Sequence, residues 1–449
     1  MKKRESSSYK DRSGFVFYEK GKVFRQVNKS YQKNYEMLMR SGLYKELLEK
    51  KMVVGHKEIK KGLLEAEKIP FISYPYEWCF SQLKEAAELT LKIQKMAIKY
   101  GMSLKDASAY NVQFVGTKAI FIDTLSFEKY KEGEAWVAYR QFCRHFLAPL
   151  ALMTMTDGRL GGVLSTYMDG IPLDLTSQLL PVKSNLNFGI LSHIHLNAKS
   201  QKMKTRKIEK YKMSRQMLDN LLTSLETTVA KLELKIDETE WGDYYKNTNY
   251  SKRAFIDKKR LVKKFLTKTK AKTVLDLGAN TGEFSVIGAD LGAYTLSTDY
   301  DFVAVEKNYK KWKGKEKLLP LIIDITNASA GIGWANEERK SFWERTKVET
   351  VLALALIHHL AISNNLPFEK IAKMMAEITD FLIIEFVPKS DSKVKILLSQ
   401  REDIFDDYDK TEFEKVFSKY FKIEESGQIK GSKRKIYLMK RIGQRPTKK

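Results

Sequence analysis

The chain has 449 residues, 43% hydrophobic and 11% aromatic, enough for two or three domains with buried cores and too apolar for global disorder. Lys and Arg number 80 against 55 Asp and Glu, a formal net charge of +25 that favours a polyanionic partner and is silent about fold. Two cysteines, Cys79 and Cys143, exclude a disulfide scaffold and a Cys-rich zinc site and suit a reducing compartment; with only six histidines, no metal site is expected.

The opening MKKRESSSYKDRSG is charged with no apolar stretch behind it, so no secretory signal is expected. The most apolar runs, 146–155 and 351–362, are shorter than the roughly 20 residues of a membrane span, and the expectation is a soluble, cytoplasmic protein. FVFYEKGKVFRQV predicts a hairpin with Gly21 in its turn, and FISYPYEWCF at 71–80 reads as a hinge strand. Residues 81–100 predict a long amphipathic helix with Leu83, Ala87, Leu91 and Ile98 on its apolar stripe. In the following LKDASAYNVQFVGTKAIFIDTLSFE, Asp106 precedes Asn111, a hairpin turns at Gly116-Thr117, and Asp123 ends its second strand.

This segment resembles the catalytic loop and metal-binding aspartate of the protein-kinase-like and aminoglycoside-phosphotransferase-like fold. The resemblance implies that Asp106 would face an acceptor hydroxyl while Asn111 and Asp123 hold magnesium, with Mg-ATP as the ligand. The departures are specific. Lys105 stands where a His is usual, DTLSF replaces D-F-G, no Gly-rich phosphate loop precedes, and Arg25 and Lys29 are weak substitutes for the nucleotide lysine. A degenerate α+β kinase-like domain is therefore expected over 1–150, used for binding or scaffolding more than for phosphate transfer.

A helical connection, or extension of that domain, is expected over 151–240. It contains the basic run KSQKMKTRKIEKYKMSR at 199–215 and an amphipathic helix from Met213 to about Glu233. Just before the next domain, Trp241, Tyr244, Tyr245 and Tyr250 suit either a lid over a ligand or ordinary packing of a cap helix. From Lys272 the texture changes to short β-branched runs alternating with helical stretches, the mark of βαβ units and a mainly parallel sheet.

The strand Thr273–Leu275 ends at Asp276, and the turn LGANTG then opens a helix; Gly278 and Gly282 permit positive φ and close approach of backbone to a ligand. A second strand, Ala293–Thr298, ends in Asp299, where a carboxylate can accept both ribose hydroxyls of an adenosine-containing cofactor. A third, Leu318–Ile323, ends in Asp324, suited to an adenine amino group. A fourth, Val348–Leu356, runs into His358 and His359, and a fifth, Phe381–Phe386, carries Glu385. Lys422–Ile429 and Lys435–Met439 suit a terminal antiparallel hairpin around Gly431, and the last 20 residues hold nine basic groups and no acidic one.

Over roughly 245–440 the chain resembles the class I S-adenosylmethionine-dependent methyltransferase family, on DLGANTGEF at 276–284, STDYD at 297–301, LIIDITN at 321–327 and LALALIHHLAI at 352–362. The resemblance implies a Rossmann-like, seven-stranded α/β domain over 241–449. The Asp276–Gly282 turn, with Gly278 and Asn280, would cradle the methionine part of S-adenosylmethionine, Asp299 the ribose and Asp324 the adenine edge. A dinucleotide fold competes, but its fingerprint wants G-x-G-x-x-G. In layout the chain is also similar to nodulation-associated, methyltransferase-like bacterial proteins, which implies a glycan or other small-molecule acceptor.

The fourth strand lacks the D/N-P-P-Y/F signature of enzymes that methylate exocyclic base nitrogens. An apolar strand leading to a His pair resembles methyltransferases that act on small molecules, lipids or sugars, which implies a saccharide, lipid or small-molecule acceptor methylated on oxygen or nitrogen. His358 or His359 would serve as base, or would merely cap the strand; Glu385 would orient substrate, or serve in packing or pair with Lys389. The alternatives are an RNA- or nucleotide-directed methyltransferase, favoured by the +25 charge, and a bifunctional kinase–methyltransferase or binding scaffold.

Overall fold

Short runs of Val, Ile and Leu alternate with amphipathic helical stretches, and both textures fold as their periodicities dictate. The computed structural model describes residues 3–202, 212–235, 251–399 and 401–445. Trp241, Tyr244, Tyr245 and Tyr250, most of the basic run 199–215 and the end of the basic tail lie outside the described residues. The chain forms two units, one of residues 1–236 with Gly331–Lys340, the other of 237–330 with Ser341–Lys449.

The first unit opens with a five-stranded antiparallel sheet, β1 (Lys3–Arg4), β2 (Gly14–Glu19), β3 (Lys22–Val27), β4 (His56–Lys60) and β5 (Leu63–Ala66), in the order β1-β2-β3-β5-β4. Lys20 and Gly21, at φ 50° and 78°, make the two-residue turn joining β2 to β3, a left-handed pair that matches the twist of the flanking strands. Helices Gln32–Arg40 and Leu43–Glu49 lie between β3 and β4 in the chain. A 20-residue helix, Phe80–Lys99, follows and buries Leu83, Ala87, Leu91 and Ile98.

Next, β6 (Met102–Leu104) pairs with β9 (Phe127–Lys129), and β7 (Val112–Val115) with β8 (Lys118–Phe121). Lys105 N–H donates to the Ser126 carbonyl at 2.8 Å and Ile122 N–H to that of Asn111 at 2.8 Å, so loops 105–111 and 122–126 run side by side. The remainder is largely helical, and Arg215–Lys231 packs against Phe80–Lys99 with Lys95 Nζ 2.5 Å from Glu226.

The second unit is a seven-stranded sheet with helices along its chain crossovers. Its strands are β10 (Thr273–Leu277), β11 (Tyr294–Asp299), β12 (Leu318–Ile322), β13 (Thr350–Ala353), β14 (Phe381–Phe386), β15 (Phe421–Gln428) and β16 (Lys435–Arg441). The order is β12-β11-β10-β13-β14-β16-β15, parallel from β12 to β14, with β16 inserted antiparallel beside β14 and β15 on the edge. Parallel strands covered on both faces must be apolar throughout, as Val351, Leu352, Leu382 and Ile383 are. Helix Lys252–Thr269 covers one face with Leu261, Val262, Phe265 and Leu266, packed with Val274, Ile383, Ile436 and Leu438.

The strand order reverses at β10, and the carboxyl ends of β10, β11, β12 and β13 share one edge, where an open α/β sheet leaves its ligand crevice. The fourth strand is shorter than its apolar run predicts. It stops at Ala353, because Ala355 adopts φ +52° and the chain turns into a wide helical turn, His359–Ser363.

Candidate functional site

The crevice at that edge is a cleft of about 480 Å³. Asp276, Gly278 and Asn280 line it from the first turn, Asp299 from β11, Asp324 from the end of β12 and His359 from beyond β13. Gly278 (φ +70°) and Asn280 (φ +50°) are both left-handed, and so is Ala355, beyond the adjacent strand β13. Two of them, Asn280 and Ala355, are not glycine, so the chain turns sharply on both segments at this crevice. A Cβ built on Gly278 meets only Leu356 Cδ1, at 3.4 Å, so its hydrogen faces usable space.

Gly282 does something different from what its motif position predicts. It does not line the cleft; a Cβ there would sit 2.4 Å from Asn308 Oδ1. Asn308 is buried and donates to Ser297 Oγ at 2.8 Å and to the Asn280 carbonyl at 3.3 Å, so Gly282 makes room for the side chain that props the turn from behind.

The carboxylates are fixed by local hydrogen bonds. Asp299 accepts from Asn280 N–H at 2.8 Å and Asp301 N–H at 3.0 Å, and Ser285 Oγ donates to Asp276 at 2.6 Å. Burial pushes Asp276 up to about 7, only partly opposed by Ser285 and Lys258, and pushes Asp299 up to about 6 against the N–H groups of Asp301 and Asn280. Asp324, exposed at the rim, accepts from Thr326 N–H at 2.8 Å and its hydroxyl at 2.6 Å.

Three expectations about side chains need correction. Glu385 does not enter the cleft: it is 0% exposed, with Oε2 2.6 Å from Lys258 Nζ and Oε1 3.5 Å from Arg434. Nor does it pair with Lys389, which bonds Asp403 at 2.9 Å. Of the two histidines, His359 lines the cleft while His358 is 2% exposed and buried behind it, the rings 4.2 Å apart. Burial drives both below the ordinary imidazole range, His359 to about 4, so both are neutral at pH 7.

Sequence reasoning missed Lys258, Phe255 and Arg401, all at the cleft wall. Lys258 is 3% exposed, lies 4.7 Å above the Phe284 ring, and has its pKa lowered by burial against the pull of Glu385. Burial of a lysine beside a carboxylate is a signal only structure carries, because the helix around it, KRAFIDKKRLVKKF, holds six other lysines and arginines.

The cleft suits S-adenosylmethionine. Asp276 suits its ammonium, Asp299 and Asp324 are acceptors for hydroxyl and amino groups, Lys258 at the wall has N–H groups for its carboxylate, and the open face of Gly278 admits its chain.

In the first unit the three singled-out polar residues do converge. Asn111 Nδ2 donates to Ser126 Oγ at 3.2 Å, and Ser126 Oγ to Asp123 at 2.6 Å; Asp106 Oδ1 accepts from Ser108 N–H at 2.9 Å. Asp123 is also ion-paired with Arg25 from β3. Burial acts to raise the Asp123 carboxyl, and Arg25 with Ser126 outweighs it and holds it below the ordinary range; Asp106 is raised by burial and by Asp123.

No protein-family model matches the chain. Among solved structures, magnesium protoporphyrin IX methyltransferase from Synechocystis PCC 6803, with bound SAH, aligns over 45% of this chain and 93% of its own at 16% identity and a TM-score of 0.33. N-methyltransferase NodS from Bradyrhizobium japonicum WM9 aligns over 42% and 98% at 10% identity, TM-score 0.31. The bifunctional kinase-methyltransferase WbdD aligns over 48% and 45% at 16% identity, TM-score 0.29. In sequence, the chain is 31% identical to nodulation protein NoeA of Rhizobium meliloti (strain 1021) over 459 residues, covering 98% of this chain and 96% of that protein. By a likeness that runs nearly end to end, the chain belongs to the family of nodulation protein NoeA.

Proposed function

We propose that this protein is an S-adenosylmethionine-dependent methyltransferase acting on an oxygen or nitrogen of a saccharide, lipid or other small molecule. The observation that carries the reading is that the carboxylates at the ends of β10, β11 and β12 line one cleft together with His359. When bound, the cofactor supplies a methyl group on a sulfonium, an electrophile needing in-line approach more than acid–base help.

Asp299, its oxygens oriented by two backbone N–H groups, would accept from the ribose hydroxyls. Asp324 would accept from the adenine edge, and Lys258 would face the methionine carboxylate. Asp276 would face the cofactor's ammonium, which favours the ionised carboxylate that burial otherwise opposes. His359, neutral at pH 7, would accept a hydrogen bond from an acceptor hydroxyl and take its proton as the new bond forms. His358 and Glu385 would act from behind, holding His359 and Lys258. Transfer of labelled methyl to candidate oligosaccharide, lipid and RNA acceptors, abolished by Asp299→Ala, tests the reading; transfer to RNA alone would move the acceptor to the nucleic-acid class.

A second reading concerns the first unit. Its strand order, the helices between β3 and β4, and the convergence of Asp106, Asn111 and Asp123 favour a kinase-like lobe pair. Arg25 already neutralises Asp123, the carboxylate magnesium would need, and this favours a binding or scaffolding role. Magnesium-dependent ATP binding lost on Asp123→Ala would instead support phosphate transfer.

A further inference from the structure

The first unit carries an exposed apolar projection that the methyltransferase reading does not use. Between Pro181 and Asn187 the chain makes a short, tight helical turn. Ser184 points inward, 1% exposed, with Oγ 2.8 Å from His195 Nε2; His195 Nδ1 is in turn 2.7 Å from Ser177 Oγ. With Ser184 fixed inward, its neighbours two residues away on each side face out, Val182 at 87% and Leu186 at 89% exposure. Asn185 Nδ2 donates to the Val182 carbonyl at 2.9 Å. The Asn187 side chain accepts from Ile190 N–H at 3.1 Å, which starts the next turn with Phe188 outward at 76%.

Three large apolar side chains are thus held out into water on a hydrogen-bonded scaffold. A monomer seldom leaves such a cluster uncovered without a binding use. Charge identifies the occupant. From Leu175 to Ser200 the sequence has no Asp or Glu, Lys183 is exposed within the projection and Lys199 on the helix Asn197–Lys202, and the sequence continues into the basic run 199–215. A second copy of this face would set lysine against lysine, whereas an anionic bilayer offers hydrocarbon to the three apolar side chains and phosphate to the lysines. Among the described residues no helix is long and apolar enough to cross a membrane, so attachment would be peripheral.

We propose that the 182–188 projection docks the protein onto the surface of an anionic lipid bilayer, with Val182, Leu186 and Phe188 inserted at the headgroup level and Lys183 and Lys199 on lipid phosphates. Flotation of the full chain with phosphatidylcholine vesicles, with and without about 30 mol% phosphatidylglycerol, tests it. Binding is expected on the anionic vesicles. It should fall about tenfold or more in the Leu186→Asp, Phe188→Asp variant and severalfold in Lys183→Glu, with unchanged thermal melting. Absence of binding to anionic vesicles would overturn the proposal. So would equal binding by a folded Leu186→Asp, Phe188→Asp variant, or a concentration-dependent dimer of the wild type that this variant abolishes.

Discussion

Lys258 and Glu385 form an ion pair with Nζ 2.6 Å from Oε2 and side-chain exposures of 3% and 0%. One end of this pair lines the cleft and the other is anchored through Arg434, which Asp391 holds at 2.7 and 2.9 Å. The pair holds the Lys258 ammonium at the wall of the cleft, with its charge balanced by Glu385 rather than by solvent.

Breaking one partner strands the other in the interior. Glu385→Leu or Lys258→Met alone is expected to cost about 3–5 kcal/mol, measured by denaturant unfolding. The double variant Lys258→Met, Glu385→Leu should recover most of that stability while leaving affinity for S-adenosylmethionine about tenfold or more weaker. Full recovery of affinity in the double variant would remove Lys258 from the cofactor site.

The two glycines of the turn separate structure from binding. Gly282→Ala forces a Cβ to within 2.4 Å of Asn308 Oδ1 at φ +76°, and a loss of about 2 kcal/mol or more is expected in thermal or denaturant unfolding. Gly278→Ala has only Leu356 at 3.4 Å to meet. It should cost about 1 kcal/mol for its left-handed φ while cutting cofactor affinity more than Gly282→Ala does among folded molecules.

This contrast shows what was legible in sequence. The turn from Asp276 and the acidic end of β11 could be read because strand ends and left-handed glycines are local properties. The purpose of Gly282 could not, because Asn308 lies 26 residues on. Glu385 reads two ways in sequence for a related reason: periodicity places it in a strand, but not on which side of the sheet its partners lie. Likewise Asp106, Asn111 and Asp123 are visible as a short pattern, whereas Arg25 on Asp123 reaches across 98 residues.

Asp276 near 7 and Asp299 near 6 are raised above the ordinary carboxyl value of about 4. The folded state therefore holds these protons more tightly than the unfolded chain, and both groups oppose folding most above pH 7 and progressively less as pH falls toward 4. Between pH 8 and 6 the wild type should gain stability relative to an Asp276→Asn variant. A cationic ligand favours the ionised carboxylates, so binding near pH 6 should release up to about 1.4 protons and above pH 8 almost none, read by calorimetry in buffers of different ionisation enthalpy.

In the first unit the sign is reversed. Asp123 is held below its ordinary value, so its contribution is present above pH 4 and lost as pH falls through the folded-state pKa. Arg25→Ala should destabilise this unit by about 1–2 kcal/mol at pH 7, less in acid, because it leaves a half-buried carboxylate without its counter-charge, held only by Ser126 and the Leu125 N–H. Equal destabilisation at pH 7 and pH 3 would contradict the pairing.

The most direct test of the central claim is calorimetric titration of the full chain with S-adenosylmethionine, repeated on Asp299→Ala. Saturable binding near one cofactor per chain, lost in a variant that keeps its far-ultraviolet circular dichroism and melting cooperativity, is the expected result. No binding to the wild type, or unchanged affinity in a folded Asp299→Ala, would contradict it.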